Sequence, residues 1–137
     1  MPNEFVDFGI TPGESLEVPL LTKGDHMLQA VAAEVKPSKS GNDTMLVVQF
    51  EDPSAPEFDV IYHNFLFPRA DLKPRANQYR KAEFADFTVS FSLPLQFNIQ
   101  ELKSLRPRGW VTVGHEEYPQ GSGKQNARIL KFLRPPA

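Results

Sequence analysis

The stretch Pro37-Ser38-Lys39-Ser40-Gly41-Asn42-Asp43 permits little besides a turn, and apolar runs stand on both sides of it. Gly and Asn accept positive φ, while Ser and Asp side chains bond to nearby backbone and draw the chain out of regular structure. The run that follows, Thr44 to Phe50, is short and β-branched, as a strand should be. The run before it, His26 to Lys36, is rich in apolar residues but alternates imperfectly, so a helix competes with a strand there. A turn this dense between two such runs favours an antiparallel hairpin.

A third strand is expected from Glu57 to Phe67, after the turn Asp52-Pro53-Ser54-Ala55-Pro56. Its alternation puts Phe58, Val60, Tyr62 and Asn64 on one face and Ile61, His63, Phe65 and Phe67 on the other. Residues 68–92 change character. Pro74 suits a first helical turn, and Phe84, Phe87 and Phe91 recur at helical spacing, with Pro94 expected to end the helix. One more helical turn is expected within Ile99–Leu105. A fourth strand runs from Trp110 to about Tyr118, a Gly-rich loop follows, and Gln125 to Leu133 is the last strand, with Asn126, Arg128, Leu130 and Phe132 on one face. Ahead of the hairpin, residues 1–24 read as an extended lead-in or arm, in which Ser15–Leu21 pairs briefly as an edge strand. The order is three strands, a helical insert, two strands. That is the order of a mainly β, five-stranded OB-fold-like barrel spanning residues 25–134, with 135–137 as a short tail.

With 137 residues, 40% of them hydrophobic and eleven of them Phe, the chain suits one domain with a real core. It has no cysteine, so disulfides, thiolate metal sites and cysteine nucleophiles are excluded. No run is apolar enough to span a membrane, and the start MPNEFVDFGITPGESLEV lacks the basic and apolar parts of a signal peptide. A cytoplasmic protein is the expectation. The net charge of −2 conceals an asymmetry: residues 1–59 hold eleven acidic and three basic residues (−8), residues 60–137 six acidic and twelve basic (+6). Such a split points to a polyanionic partner unless folding intermixes the halves.

Enzymatic chemistry finds no foothold. His26, His63 and His115 stand far apart, and His115-Glu116-Glu117 lacks the second His of a metalloprotease helix. Gly121-Ser122-Gly123-Lys124 is followed by Gln125 where a phosphate loop needs Ser or Thr, so a hairpin turn is the better reading. Glu116 and Glu117 point to opposite sides of a strand and cannot act as a pair. We expect no catalytic set, metal or cofactor.

Holding a single nucleic-acid strand takes cations along the phosphates and flat rings under the bases. Cations cluster at Arg69, Lys73, Arg75, Arg80 and Lys81 around the helix start, and at Lys36 and Lys39 by the hairpin. Arg106 and Arg108 precede the fourth strand, and Lys124, Arg128 and Lys131 lie on or near the fifth. Candidate rings are Tyr62, Phe65, Phe67, Tyr79, Trp110 and Tyr118; Phe50, Phe58, Phe84, Phe87 and Phe132 are assigned to the core. Each cluster also reads as a solvated face, and Trp110 beside Arg108 also reads as a rim residue. The interface expected is Lys36, Lys39, Tyr62, Phe65, Arg69, Arg75, Arg80, Lys81, Trp110, Tyr118, Lys124 and Arg128.

The stretch Val35-Lys36-Pro37-Ser38-Lys39-Ser40-Gly41-Asn42, with Met45–Phe50 after it, resembles the signature of a family of short phage and prophage proteins. Val113–Tyr118 and then Gly123–Ile129 resemble that family's last two strands, so the likeness runs from about residue 23 to residue 133. The resemblance implies an OB-fold-type single-stranded DNA-binding protein, encoded among replication and recombination genes, with no cofactor. RNA as ligand, replication or recombination proteins as partners and a homo-oligomeric assembly are all compatible with it. Two other readings stand beside it: a protein–protein adaptor of such a complex, and a virion structural β-barrel.

Overall fold

The computed structural model describes residues 6–117 and 120–134. Five strands, β1 (Gly24–Pro37), β2 (Thr44–Glu51), β3 (Ile61–Leu66), β4 (Arg108–Glu117) and β5 (Gln125–Phe132), form one antiparallel sheet in the order β3-β2-β1-β4-β5. Two helices, α1 (Pro74–Ser90) and α2 (Ile99–Leu105), fall between β3 and β4. The chain is thus mainly β with a helical insert after its third strand, as the sequence order predicts.

β1 belongs to two pairings. Gly24–Gln29 pairs with β4, and Gln29–Pro37 pairs with β2. The hand-over falls beside an irregularity between Ala30 and Ala32, where Val31 is the extra residue. An inserted residue bends and twists its strand, which lets one long strand serve two neighbours. Among the described residues no hydrogen-bonded ladder joins the sheet's two edges. Side chains meet across them, however, with the Phe65 ring of β3 stacked 5.5 Å from Phe132 of β5 and the His63 ring 5.2 Å from it.

The inward faces supply Leu28, Ala30, Leu46, Val48, Phe50, Ile61, Val111, Val113 and Ile129, and Phe87 of α1 and Phe91, which caps its end, lie over them. Phe50 meets Phe87 edge-on at 5.7 Å and Phe91 at 5.3 Å. The end of α1 presses on the start of β4. A Cβ on Gly109 would stand 2.6 Å from the Phe91 ring and 2.7 Å from the Ser90 carbonyl, so only glycine fits there. Ser90 Oγ donates to the Trp110 carbonyl at 3.0 Å beside it.

Four expectations need correction. Ser15–Leu21 forms no strand; instead Pro19 accepts from the Asp59 amide at 2.9 Å and Leu21 alone enters the core. β3 begins at Ile61 rather than Glu57, because two successive turns, Ala55 N to Asp52 O and Phe58 N to Ala55 O, occupy the residues before it. α1 runs past Phe87 to Ser90 and stops four residues short of Pro94. Its stop is made by Ser92 in the left-handed region (φ 55°), with Leu93 N donating to Thr88 O. Finally, Leu130 is an extra residue in β5: Val113 pairs with Ile129 but Thr112 with Lys131. The bulge reverses the alternation, so Ile129 and Phe132 point inward while Arg128 and Lys131 point outward. Arg128 and Phe132 therefore do not share a face.

Candidate nucleic-acid interface

The predicted interface residues separate into three places. At the first, the β1–β2 turn meets α1. Asp43 closes the turn, with Ser38 N donating to its carbonyl at 2.8 Å and its own amide donating to Ser38 Oγ at 3.2 Å. Its carboxylate receives Nη1 of both Arg69 and Arg80, each at 2.9 Å. Arg69 also forks onto Asp71 at 2.6 and 2.9 Å and donates to the Asn42 carbonyl. Arg80 donates to the Phe67 carbonyl at 2.8 Å. Asn77 of α1 clamps Arg69's backbone from both sides, accepting from its N–H and donating to its C=O. Hydrogen bonds from Arg80 and then Arg69 hold the Asp43 carboxyl below its ordinary range; the Arg69 fork does the same for Asp71. The two carboxylates in turn hold the Arg69 guanidinium more firmly protonated.

Charge-assisted forks of this kind fix geometry. Arg69 and Arg80 are committed to tying turn, strand and helix together, and phosphate would have to displace a carboxylate to reach them. The network also joins Asp43 of the acidic half to Arg69 and Arg80 of the basic half, so folding does intermix the charges. Arg75 and Lys81 remain exposed on α1, and Lys39 is exposed in the turn.

The second place is the outer face of β1, β2 and β3. Tyr62 is 62% exposed opposite Gln49, above a shallow recess of about 260 Å³ that Ala32, Val47 and Gln49 also line. Lys36 lies along the same sheet, 3.5 Å from Glu34. Phe65 alternates the other way. It is 3% exposed, packed between Phe84, Phe87 and Phe132, and its ring offers no face to a base. Its assignment moves from the interface to the core.

The third place is the outer face of β4 and β5. Trp110 is 49% exposed opposite Met27 of β1. Arg108, two residues before it, emerges on the same side, and so does Lys131, which sits opposite Thr112. Neither cation has a carboxylate partner among the described residues. Arg128 stands on this face too, paired with Glu116 at 2.8 Å. Leu130, the bulged residue, lies over Gly114, where a Cβ would stand 2.7 Å from its Cδ1. Asp25 is occupied by a 2.8 Å hydrogen bond from Thr112. Lys124 is exposed in the β4–β5 loop, and Tyr118 lies outside the described residues. Sequence alternation places Arg108 beside Trp110. It could not place Lys131 there, because a regular β5 would turn that side chain inward with Ile129.

The histidines are dispersed. His26 Nε2 lies 2.7 Å from the Thr22 carbonyl, His115 Nε2 lies 2.6 Å from the Leu21 carbonyl, and His63 Nε2 lies 3.0 Å from Glu83. Among the described residues no three His, Asp or Glu side chains converge as metal ligands would, and no helix is long and apolar enough to cross a membrane. No protein-family model matches this chain, and no curated protein matches it in sequence.

Proposed function

We propose that this protein binds single-stranded DNA without regard to sequence, as an OB-fold-type barrel serving phage replication or recombination. The strand order supports the reading. A first strand shared between β2 and β4, a helical insert after β3, and edges β3 and β5 facing each other through their rings are what a small five-stranded barrel requires. The observation that carries it is the outer face of β4 and β5, where the half-exposed Trp110 ring lies between Arg108 and Lys131. A ring able to take a base and two cations able to take flanking phosphates are the parts single-strand binding needs. No catalytic group or cofactor enters this function.

Trp110 is the chain's single tryptophan, so its fluorescence reports the site directly. Titration with oligo-dT at low and moderate salt, with anisotropy of a labelled strand read in parallel, is the test. The expected result is quenching of Trp110 together with binding that weakens as salt rises and survives duplex competitor. Absence of binding at low salt overturns the reading and leaves the protein-adaptor alternative.

A further inference from the structure

Two apolar surfaces of this chain have no partner, and they match. One is a groove of about 820 Å³ between α1, the segment 95–99 and the ends of β1, β2 and β3. Its walls include Val35, Leu46, Phe67, Phe84 and Phe97, and the charged side chains lining it are Arg80 and Lys81, with no carboxylate. Arg80 is engaged by Asp43, but Lys81 has no ion-pair partner among the described residues. The volume lies within the roughly 300–1,000 Å³ of sites that hold organic groups, room for several side chains. The other surface is the lead-in. Val6, Phe8, Ile10, Leu16 and Val18 all stand exposed, Phe8 at 84%, and residues 6–20 carry Asp7, Glu14 and Glu17 against no basic residue. An apolar, acidic segment thus complements an apolar groove with a basic lip.

We infer that the N-terminal segment of a second copy of this chain docks in this groove, with Phe8 among the aromatic walls and Asp7 facing Lys81. A chain's own segment does not occupy the groove: Phe8 is 84% exposed, and every described lining residue lies at Val35 or beyond. The segment is tied to its own body elsewhere, by Pro19 O to the Asp59 amide and by Leu21 O to His115 of β4. Docking in a second copy, with reciprocal exchange, gives a closed dimer. The inference stands apart from nucleic-acid binding, because none of Arg108, Trp110, Arg128 and Lys131 lines the groove.

The chain has no cysteine, so single cysteines can be placed without background. Phe8→Cys in one tagged preparation and Leu95→Cys in an untagged one, mixed without DNA and treated with a short thiol crosslinker, should give a heterodimer. Both positions are exposed, Leu95 at 69%, so neither change threatens the core. Sedimentation should show a wild-type dimer at tens of micromolar that Phe8→Glu or Leu95→Glu converts to monomer. A link formed only within the doubly substituted chain, with none in the mixture, overturns the inference in favour of a self-clasp. No link in either experiment, with a monomeric wild type, overturns it outright.

Discussion

At the corner where the β1–β2 turn meets α1, Arg69 and Arg80 both end on Asp43; on the outer face of β4 and β5, Arg108 and Lys131 end on no carboxylate among the described residues. In sequence the two groups look alike, each a few cations near aromatic residues. What separates them is an acidic partner, and that partner comes from far away: Asp43 is 37 residues from Arg80. The corner spends its charge on holding the fold, while the face keeps charge available to a ligand. The rings divide in the same way, Phe65 at the base of the corner being core and Trp110 on the face being half exposed.

The largest effect expected from breaking this division is at Phe65. Phe65→Ala removes a buried ring from a cluster of aromatic contacts and should cost about 3–5 kcal/mol in urea unfolding. DNA affinity, measured where the variant is still folded, should be unchanged. Trp110→Ala should do the reverse. Stacking of one base is worth about 1–3 kcal/mol, so affinity for oligo-dT should fall about 5- to 150-fold. The unfolding midpoint should move little, since half of that ring is already in water. A Trp110→Ala variant that binds normally would remove the face from consideration.

Salt dependence sharpens the comparison further. Removing one phosphate-neutralising cation from a single-strand binder flattens the log–log salt slope by about 0.7. Arg108→Ala and Lys131→Ala should each flatten the slope in this way without lowering stability. Arg69→Ala and Arg80→Ala should lower stability and leave the slope alone, since their guanidinium groups are already matched by Asp43 and Asp71.

How much of this could be read from the sequence depends on the range of the interactions. The β1–β2 hairpin was legible because Pro37–Asp43 is local turn chemistry between two apolar runs. The faces of β3 were legible because Ile61, His63 and Phe65 alternate with Tyr62 and Asn64 without interruption. β5 was not, because a one-residue bulge at Leu130 leaves no mark in composition and yet inverts the faces of everything after it. The Asp43 hub was equally hidden. Nothing local distinguishes Asp43 from other turn aspartates, and its partners come from the β3–α1 connection and from α1 itself. Of the expected interface, Trp110 could be found by alternation, with Arg108, a candidate cation outside that set, two residues before it, whereas the withdrawal of Arg69, Arg80 and Phe65 needed the tertiary structure.

The acid limb of stability tests the corner by another route. Hydrogen bonds from Arg80 and Arg69 hold the Asp43 carboxyl below its unfolded value of 3.8. A carboxylate lowered on folding contributes stability that is whole above the unfolded value and is lost as pH falls through the folded one. Melting temperature should therefore drop on acidification below about pH 4, and Asp43→Asn should both lower it at pH 7 and flatten that drop. An equally steep acid limb in Asp43→Asn would mean that other carboxylates control it.

The smallest effect is the most discriminating, because it asks whether a cation on the binding face can be partly withheld. Arg128 points outward beside Trp110's strand but lies 2.8 Å from Glu116, with both side chains about half exposed. An exposed pair of this kind is worth about 0–1 kcal/mol, so a passing phosphate can compete with Glu116 for Arg128 at modest cost. Arg128→Ala should consequently weaken DNA binding by less than Arg108→Ala does. Glu116→Gln should strengthen it by up to about fivefold at low salt, since it frees Arg128 and removes a negative charge from the path of the strand. The corner admits no such gain: Asp71→Asn, which frees part of Arg69 at an even more exposed carboxylate, should leave affinity where it was. If both substitutions raised affinity alike, the strand would be responding to net charge alone, and the division between corner and face would not describe how this protein binds.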